Sequence, residues 1–208
     1  MIEVWLPNLL IGWGVQWLGV LSPGPGVALI LSVATTRGRT AALTTCLGIA
    51  FGAFCLAFIA VMGLAALLAD IAWAMTAVKL AGAAFLAWLA WKSFGKAFKP
   101  DDLPKAATDP AHGRAALMGY TMQMSNPKAI LYWVAAAAVA GLEAAPWPVI
   151  GLFIVGGFVN SFLGHGLWAV ALSSQPFLTL YRAARRWVEG ALGAFFAFAA
   201  FTLATSRS

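Results

Sequence analysis

Two proline motifs interrupt long apolar stretches at corresponding places in the two halves of this chain: Ser22-Pro23-Gly24-Pro25-Gly26 and Ser125-Asn126-Pro127-Lys128. Each lies near the middle of a hydrophobic segment long enough to cross a bilayer. Proline lacks an N–H and its ring clashes with the preceding turn, so a helix entering either motif must kink or stop. The interruption frees backbone N–H and C=O groups where there is no water, which is tolerable only where they meet protein or line a cavity. Paired interruptions in two halves are the sequence mark of a solute site at mid-membrane depth. The expectation is a small secondary transporter.

Composition supports a membrane setting. Hydrophobic residues make up 62% of the chain and charged residues 10%, against roughly 25% charged in a soluble domain. The polar surface needed to face water is missing. A net charge of +6 raises the question of nucleic acid, but the charges fall in short loops between apolar runs, where they set membrane orientation. Nucleic-acid binding is therefore not expected. The two cysteines, Cys46 and Cys55, are nine positions apart in one helix. That spacing sets them on opposite faces, roughly 13 Å apart, too far to bridge.

A span needs about 20 mostly apolar residues. Six such runs occur, at roughly 7–34, 41–63, 72–92, 115–140, 149–172 and 187–205. The connection near Ala69-Asp70 is short and predicts a tight antiparallel hairpin of the second and third spans. The start, Met1-Ile2-Glu3-Val4-Trp5, lacks a basic leader region, so the first span is expected to be retained. Ten of the thirteen basic residues fall on one side: Arg37, Arg39, Lys92, Lys96, Lys99, Lys105, Arg114, Arg182, Arg185 and Arg186. Positive-inside logic puts that side in the cytoplasm and both termini outside it. Trp5, Trp73, Trp91, Trp147 and Trp187 fall near span ends, where aromatic rings favour the membrane interface. Gly48 and Gly52, four apart, allow close helix approach, either inside the chain or across a homodimer.

An odd number of spans per half makes the second half cross the membrane in the opposite sense. The predicted fold is thus all-α and integral to the membrane. Six transmembrane helices form two inverted three-helix repeats, with the first and fourth helices broken. A single membrane domain covers 1–208, with one half at 1–92, a solvated cytoplasmic linker at 93–113 and the other half at 114–208.

The motifs carry the chemistry. Ser22 can cap, Pro23 and Pro25 withhold donors, and Gly24 and Gly26 permit unusual dihedrals. A half-helix starting near Pro25 would present its positive end at mid-membrane depth, where it attracts a carboxylate. Asn126 is a good N-cap and Pro127 a favoured first helical residue. Lys128 then sits in the first turn, where the dipole repels it, and a lysine at the bilayer centre already costs about 2.5–3.5 kcal/mol. An anionic ligand would compensate; the competing reading is a snorkelling or carbonyl-bonded structural lysine. Gln16, Gln123 and Asn160 are polar groups that could touch substrate or satisfy freed backbone. Lys79, His165 and Glu189 are candidates for proton coupling. For each there is a plain structural alternative: snorkelling for Lys79, satisfied packing for His165, and an i,i+4 pair with Arg185 for Glu189. No catalytic constellation and no metal-ligand spacing is present, and no cofactor is expected.

At these residues the chain resembles the lysine-exporter (LysE)/homoserine-threonine-resistance (RhtB) family of amino-acid efflux proteins. The first motif is similar to that family's Thr/Ser-Pro-Gly-Pro-Asn segment, with Gly26 in place of Asn. Val78-Lys79-Leu80-Ala81-Gly82-Ala83-Ala84-Phe85-Leu86 resembles its Lys-x-x-Gly-x-x-Tyr-Leu stretch, with Phe85 for Tyr. Gln123-Met124-Ser125-Asn126-Pro127-Lys128-Ala129 resembles its Asn-x-x-Asn-Pro-Lys-Ala signature, with Gln123 for the first Asn. The resemblance implies export of an amino acid or close derivative across a bacterial inner membrane, driven by the proton gradient. The rival readings are a carrier of another solute such as a metal cation, a membrane-embedded redox protein or enzyme, and a non-transporting assembly subunit. Scarce carboxylates, thiolates and histidines inside the spans speak against the metal carrier.

Overall fold

The computed structural model of the chain describes residues 2–22, 24–70, 74–98, 115–142 and 145–205. Among these residues all regular structure is helical: α1 (Ile2–Leu21), α2 (Pro25–Asp70), α3 (Ala74–Ala97), α4 (Ala115–Ser125), α5 (Pro127–Ala140), α6 (Trp147–Leu172) and α7 (Gln175–Thr205). The long α2 is interrupted at Gly38, whose φ of 82° and ψ of 176° separate helical stretches at 25–37 and 39–70. A positive φ is strained for any residue with a Cβ. Glycine here, between Arg37 and Arg39, marks the loop expected after the first apolar run.

Among the described residues three helical stretches are apolar and long enough to cross a membrane, Glu3–Leu21, Pro25–Gly63 and Trp147–Leu172; Pro127–Ala140 is a shorter apolar helix. The outer faces of α2 and α6 carry Phe51, Phe58, Ile59, Val159, Leu163 and Leu167, and that of α7 carries Phe198 and Phe201, all largely exposed. An apolar surface this extensive suits lipid, not water. Trp91, Trp147 and Trp187 are also strongly exposed, as interface rings should be; Trp73 lies outside the described residues. The chain is an all-α membrane protein.

Burial explains the placement of α5. Its Ala135, Ala136, Ala137 and Ala138 are at most 3% exposed, and a helix apolar all round is a core helix. Its larger residues lock into neighbours: Trp133 meets Phe153 of α6 edge-on at 5.9 Å, and Tyr132 meets Phe196 of α7 at 6.4 Å. The other helices surround it. The two parts of α2 pack mainly on α6 and α4, α3 on α7 and α5, and α1 on α6 and α5.

Small residues make these approaches possible. A Cβ on Gly48 of α2 would enter the backbone of Ala116 in α4, and one on Gly119 of α4 would enter the Thr45 carbonyl. Gly52 faces the side chain of Gln123 in the same seam. The glycine pair of the second span is thus spent inside the chain. Cys46 and Cys55 are both free thiols.

Three expectations need correction. The last helix begins at Gln175, twelve residues before the apolar run at 187–205. Its polar first turns carry Arg182, Arg185 and Arg186, which lower hydropathy without opposing helix, and Phe177 anchors them edge-on against Trp168. Likewise α3 runs through Lys92 and Lys96 to Ala97, so the first residues of the expected 93–113 linker are helical. Positions 99–114 lie outside the described residues. The predicted tight hairpin of second and third spans is not a packing unit, because α3 lies chiefly against α7 and α5. Its turn, 71–73, is outside the described residues.

Candidate functional site

Both proline motifs break their helices as the sequence requires. Helix α1 closes with a bond from the Ser22 amide to the Leu18 carbonyl at 2.9 Å, and α2 opens with one from Ala28 to Gly24 at 2.9 Å. Pro23, between them, is outside the described residues. In the second motif Asn126 is extended, with φ −82° and ψ 107°, and its Oδ1 accepts from the Lys128 amide at 3.0 Å. Pro127 takes the first helical position of α5, where its missing donor costs nothing. Sequence-local chemistry sets both starts.

Tertiary packing then brings the two breaks together. The last carbonyls of a helix have no partner in their own helix, and α1 ends in the apolar interior. Trp168 Nε1 donates to the Val20 carbonyl at 3.1 Å, and Lys128 Nζ donates to the Ser22 carbonyl at 3.2 Å. The carbonyl-bonded reading of Lys128 is therefore real, and the partner it bonds is the backbone freed at the opposite break. One bond does not exhaust an ammonium with three donors. Two remain.

A cavity of about 60 Å³ lies between the breaks. A single water needs about 10–15 Å³, so the space holds a small polar molecule or several waters. Ser22, Gly24, Pro25 and Gly26 from the first motif line it, as do Gln123, Asn126 and Lys128 from the second. Pro127 and Asn160 do not. Asn160 stands behind the wall, with its Nδ2 donating to Gln16 Oε1 at 3.3 Å, while Gln16 Nε2 donates to the Gly157 carbonyl at 2.6 Å. Gln16 itself faces the cavity and is buried.

His165 enters the wall from α6. Its Nδ1 is 2.9 Å from the Ser161 carbonyl and 3.3 Å from the Ser161 hydroxyl. Ser161, Tyr132 and Gly19 also line the cavity, and the Tyr132 hydroxyl accepts from the Gly19 amide at 3.1 Å. These three were not singled out from sequence. A helical-spacing argument could have found two of them, since Ser161 and Tyr132 stand one turn from His165 and Lys128 respectively.

The charge balance is one-sided. Lys128 is the single formally charged residue lining the cavity, and no carboxylate lines it among the described residues. The N-termini of α2 and α5 add partial positive charge at the same place. Such a site favours an anionic group.

The remaining coupling candidates lie elsewhere. Glu189 of α7 is fully buried and pairs with Lys96 of α3 at 3.7 Å, with Arg185 buried on the same helix. The carboxylate thus ties α7 to α3. Lys79 belongs to α3, and its side chain is outside the described residues.

Known proteins with similar sequences agree in kind. The chain is 28% identical over 202 residues to the threonine efflux protein of Salmonella typhi, covering 93% of this chain and 95% of that protein. It is 27% identical over 200 residues to the threonine efflux protein of Escherichia coli K12, with coverage of 93% and 95%. A cysteine/O-acetylserine efflux protein of Escherichia coli O157:H7 is 32% identical over 170 residues, covering 79% of this chain and 83% of that one. No solved structure matches significantly. The profile of one family spans residues 17–207, including both proline motifs and every cavity-lining residue but Gln16; the chain belongs to the LysE type translocators, transporters rather than enzymes.

Proposed function

We infer that this protein exports small neutral amino acids or their close derivatives across a bacterial inner membrane. The observation that carries this reading is the Lys128 ammonium, bonded to the Ser22 carbonyl across a cavity flanked by two helix starts. Its remaining donors and the first amides of α2, which begins with Pro25-Gly26-Val27, can hold a carboxylate, with the positive end of α5 beside them. The substrate ammonium would meet neutral acceptors, such as the Gln123 amide oxygen and nearby carbonyls. A second ammonium, as in a dibasic amino acid, finds no carboxylate among the described lining residues. The relatives' names, threonine and cysteine/O-acetylserine efflux proteins, fit a small zwitterion.

In this reading the two breaks belong to inverted three-helix halves that rock about the cavity, with both termini on the periplasmic side. Export is driven by protons, and Glu189, held between α3 and α7 by Lys96, is the group we assign to coupling. A metal-cation carrier is disfavoured because no three His, Cys, Asp or Glu side chains come together among the described residues.

Reconstituted protein tests the reading. Proteoliposomes loaded with a panel of neutral, acidic and basic amino acids should release the small neutral ones, faster with an opposing proton gradient. Release of basic amino acids alone, or of none, would overturn it.

A further inference from the structure

Gly26 and His165 together show how the cavity can read a substrate's side chain. A Cβ on Gly26 would lie 3.3 Å from His165 Nε2 and 3.5 Å from Met122 Cε. Glycine at this position therefore places no side chain against Nε2 at the cavity wall, where both residues stand. The other ring nitrogen fixes the tautomer. Nδ1 lies 2.9 Å from the Ser161 backbone carbonyl, which can only accept, so Nδ1 carries the hydrogen. In the neutral ring Nε2 is then an acceptor. The neighbouring Ser161 hydroxyl is on the Nδ1 side, at 3.3 Å, and leaves Nε2 unaffected.

We propose that His165 Nε2, exposed through the notch at Gly26, accepts a hydrogen bond from a hydroxyl or thiol on the substrate's side chain. The inference rests on the transport reading above. Lys128 Nζ faces Gly24, 3.4 Å from where its Cβ would be, and Nε2 faces Gly26 two residues on. The carboxylate belongs at the first of these points. An amino acid's ammonium sits one carbon from its carboxylate and stays near that end, whereas the side chain extends away toward the second point. A donor there completes a pair with Nε2. A methyl group there leaves a buried acceptor unsatisfied, and a site built to pair with a polar group discriminates against analogues that lack it.

Threonine and valine have the same shape and differ by hydroxyl against methyl, as do serine and alanine by hydroxyl against hydrogen. Full-length protein in liposomes should export the hydroxyl member of each pair about tenfold better, the worth of one neutral hydrogen bond with an unsatisfied alternative. Gly26→Ala should narrow that ratio toward one by covering Nε2. The substitution keeps the start of α2, because alanine is the better helix former. His165→Phe should narrow it too, with thermal unfolding in detergent checking that the variant is folded. Competition by threonine and valine for a bound substrate, read by tryptophan fluorescence, gives the same ratio should either variant export slowly. Wild-type protein that exports both members equally would overturn the proposal and leave the transport reading intact. So would variants that slow every substrate alike, the result expected if His165 only supports α6 or carries protons. Wild-type protein that exports no amino acid at all overturns the transport reading and this one with it.

Discussion

Lys128 shows how one side chain can be both structural and functional. Its bond to the Ser22 carbonyl satisfies backbone that the first proline motif leaves without a partner, and the same side chain lines the cavity. Replacing it with methionine keeps the length and apolar stem and removes the donors. Lys128→Met should therefore lower export by about ten- to a hundredfold, the range for one hydrogen bond to a charged group, while the protein remains folded. Efflux from liposomes with matched protein content measures this; undiminished export would sink the carboxylate-binding role. Asn126 acts through the backbone instead. Its Oδ1 caps the Lys128 amide, and Asn126→Ala should cost about 1 kcal/mol of stability, seen as a lower unfolding temperature. Asn126→Ser, which restores a capping oxygen, should recover most of it. The proline-asparagine chemistry of this cap was legible in the sequence because it is local. The partner of the lysine was not, since Ser22 stands 106 positions away.

Among the helices, close approach depends on glycine at contact points. The seam between α2 and α4 has Gly119 against the Thr45 carbonyl and Gly48 against the Ala116 backbone, and neither neighbour is a flexible side-chain tip. Gly119→Val should separate α4 from α2 and destabilise the fold by at least the about 1–3 kcal/mol typical of overpacking. Gly151, where an added Cβ meets nothing within 4 Å, makes the control: Gly151→Val should leave the unfolding temperature nearly unchanged. Equal effects at both positions would refute the seam. Spacing in the sequence offered Gly48 and Gly52 as a packing face without naming the partner. Hydropathy missed the extension of α7 to Gln175 because polar turns at a membrane surface can be as helical as buried ones.

Taken over all its spans, the chain places two broken helices so that their openings meet at one cavity. If the halves are inverted as proposed, this cavity is reached from either side of the membrane in turn. Single cysteines introduced at Gly24 and Gln123, both lining the cavity, in a background lacking Cys46 and Cys55, should react with a membrane-impermeant thiol reagent from each side. Reporter fusions at the two termini should both be active only in the periplasm. Labelling from one face alone, or termini on opposite sides, would contradict the arrangement. The expected orientation rests on ten basic residues collected on one side. The depth at which the breaks face each other depends on how the Ala-rich α5 is buried among its neighbours, and no loop charge encodes that.

Class, helix content and the location of both breaks followed from the chain's own order of residues, because apolar length, missing proline donors and capping side chains act within a few positions. The convergence of Ser22, Lys128 and His165, and the withdrawal of Asn160 behind Gln16, came only with folding. Those relations, Ser22 to Lys128, Gln16 to Asn160 and Gly26 to His165, each join residues more than a hundred positions apart, through contacts that depend on how whole helices pack. Local rules decide where a helix must stop; long-range packing decides what its freed end will touch.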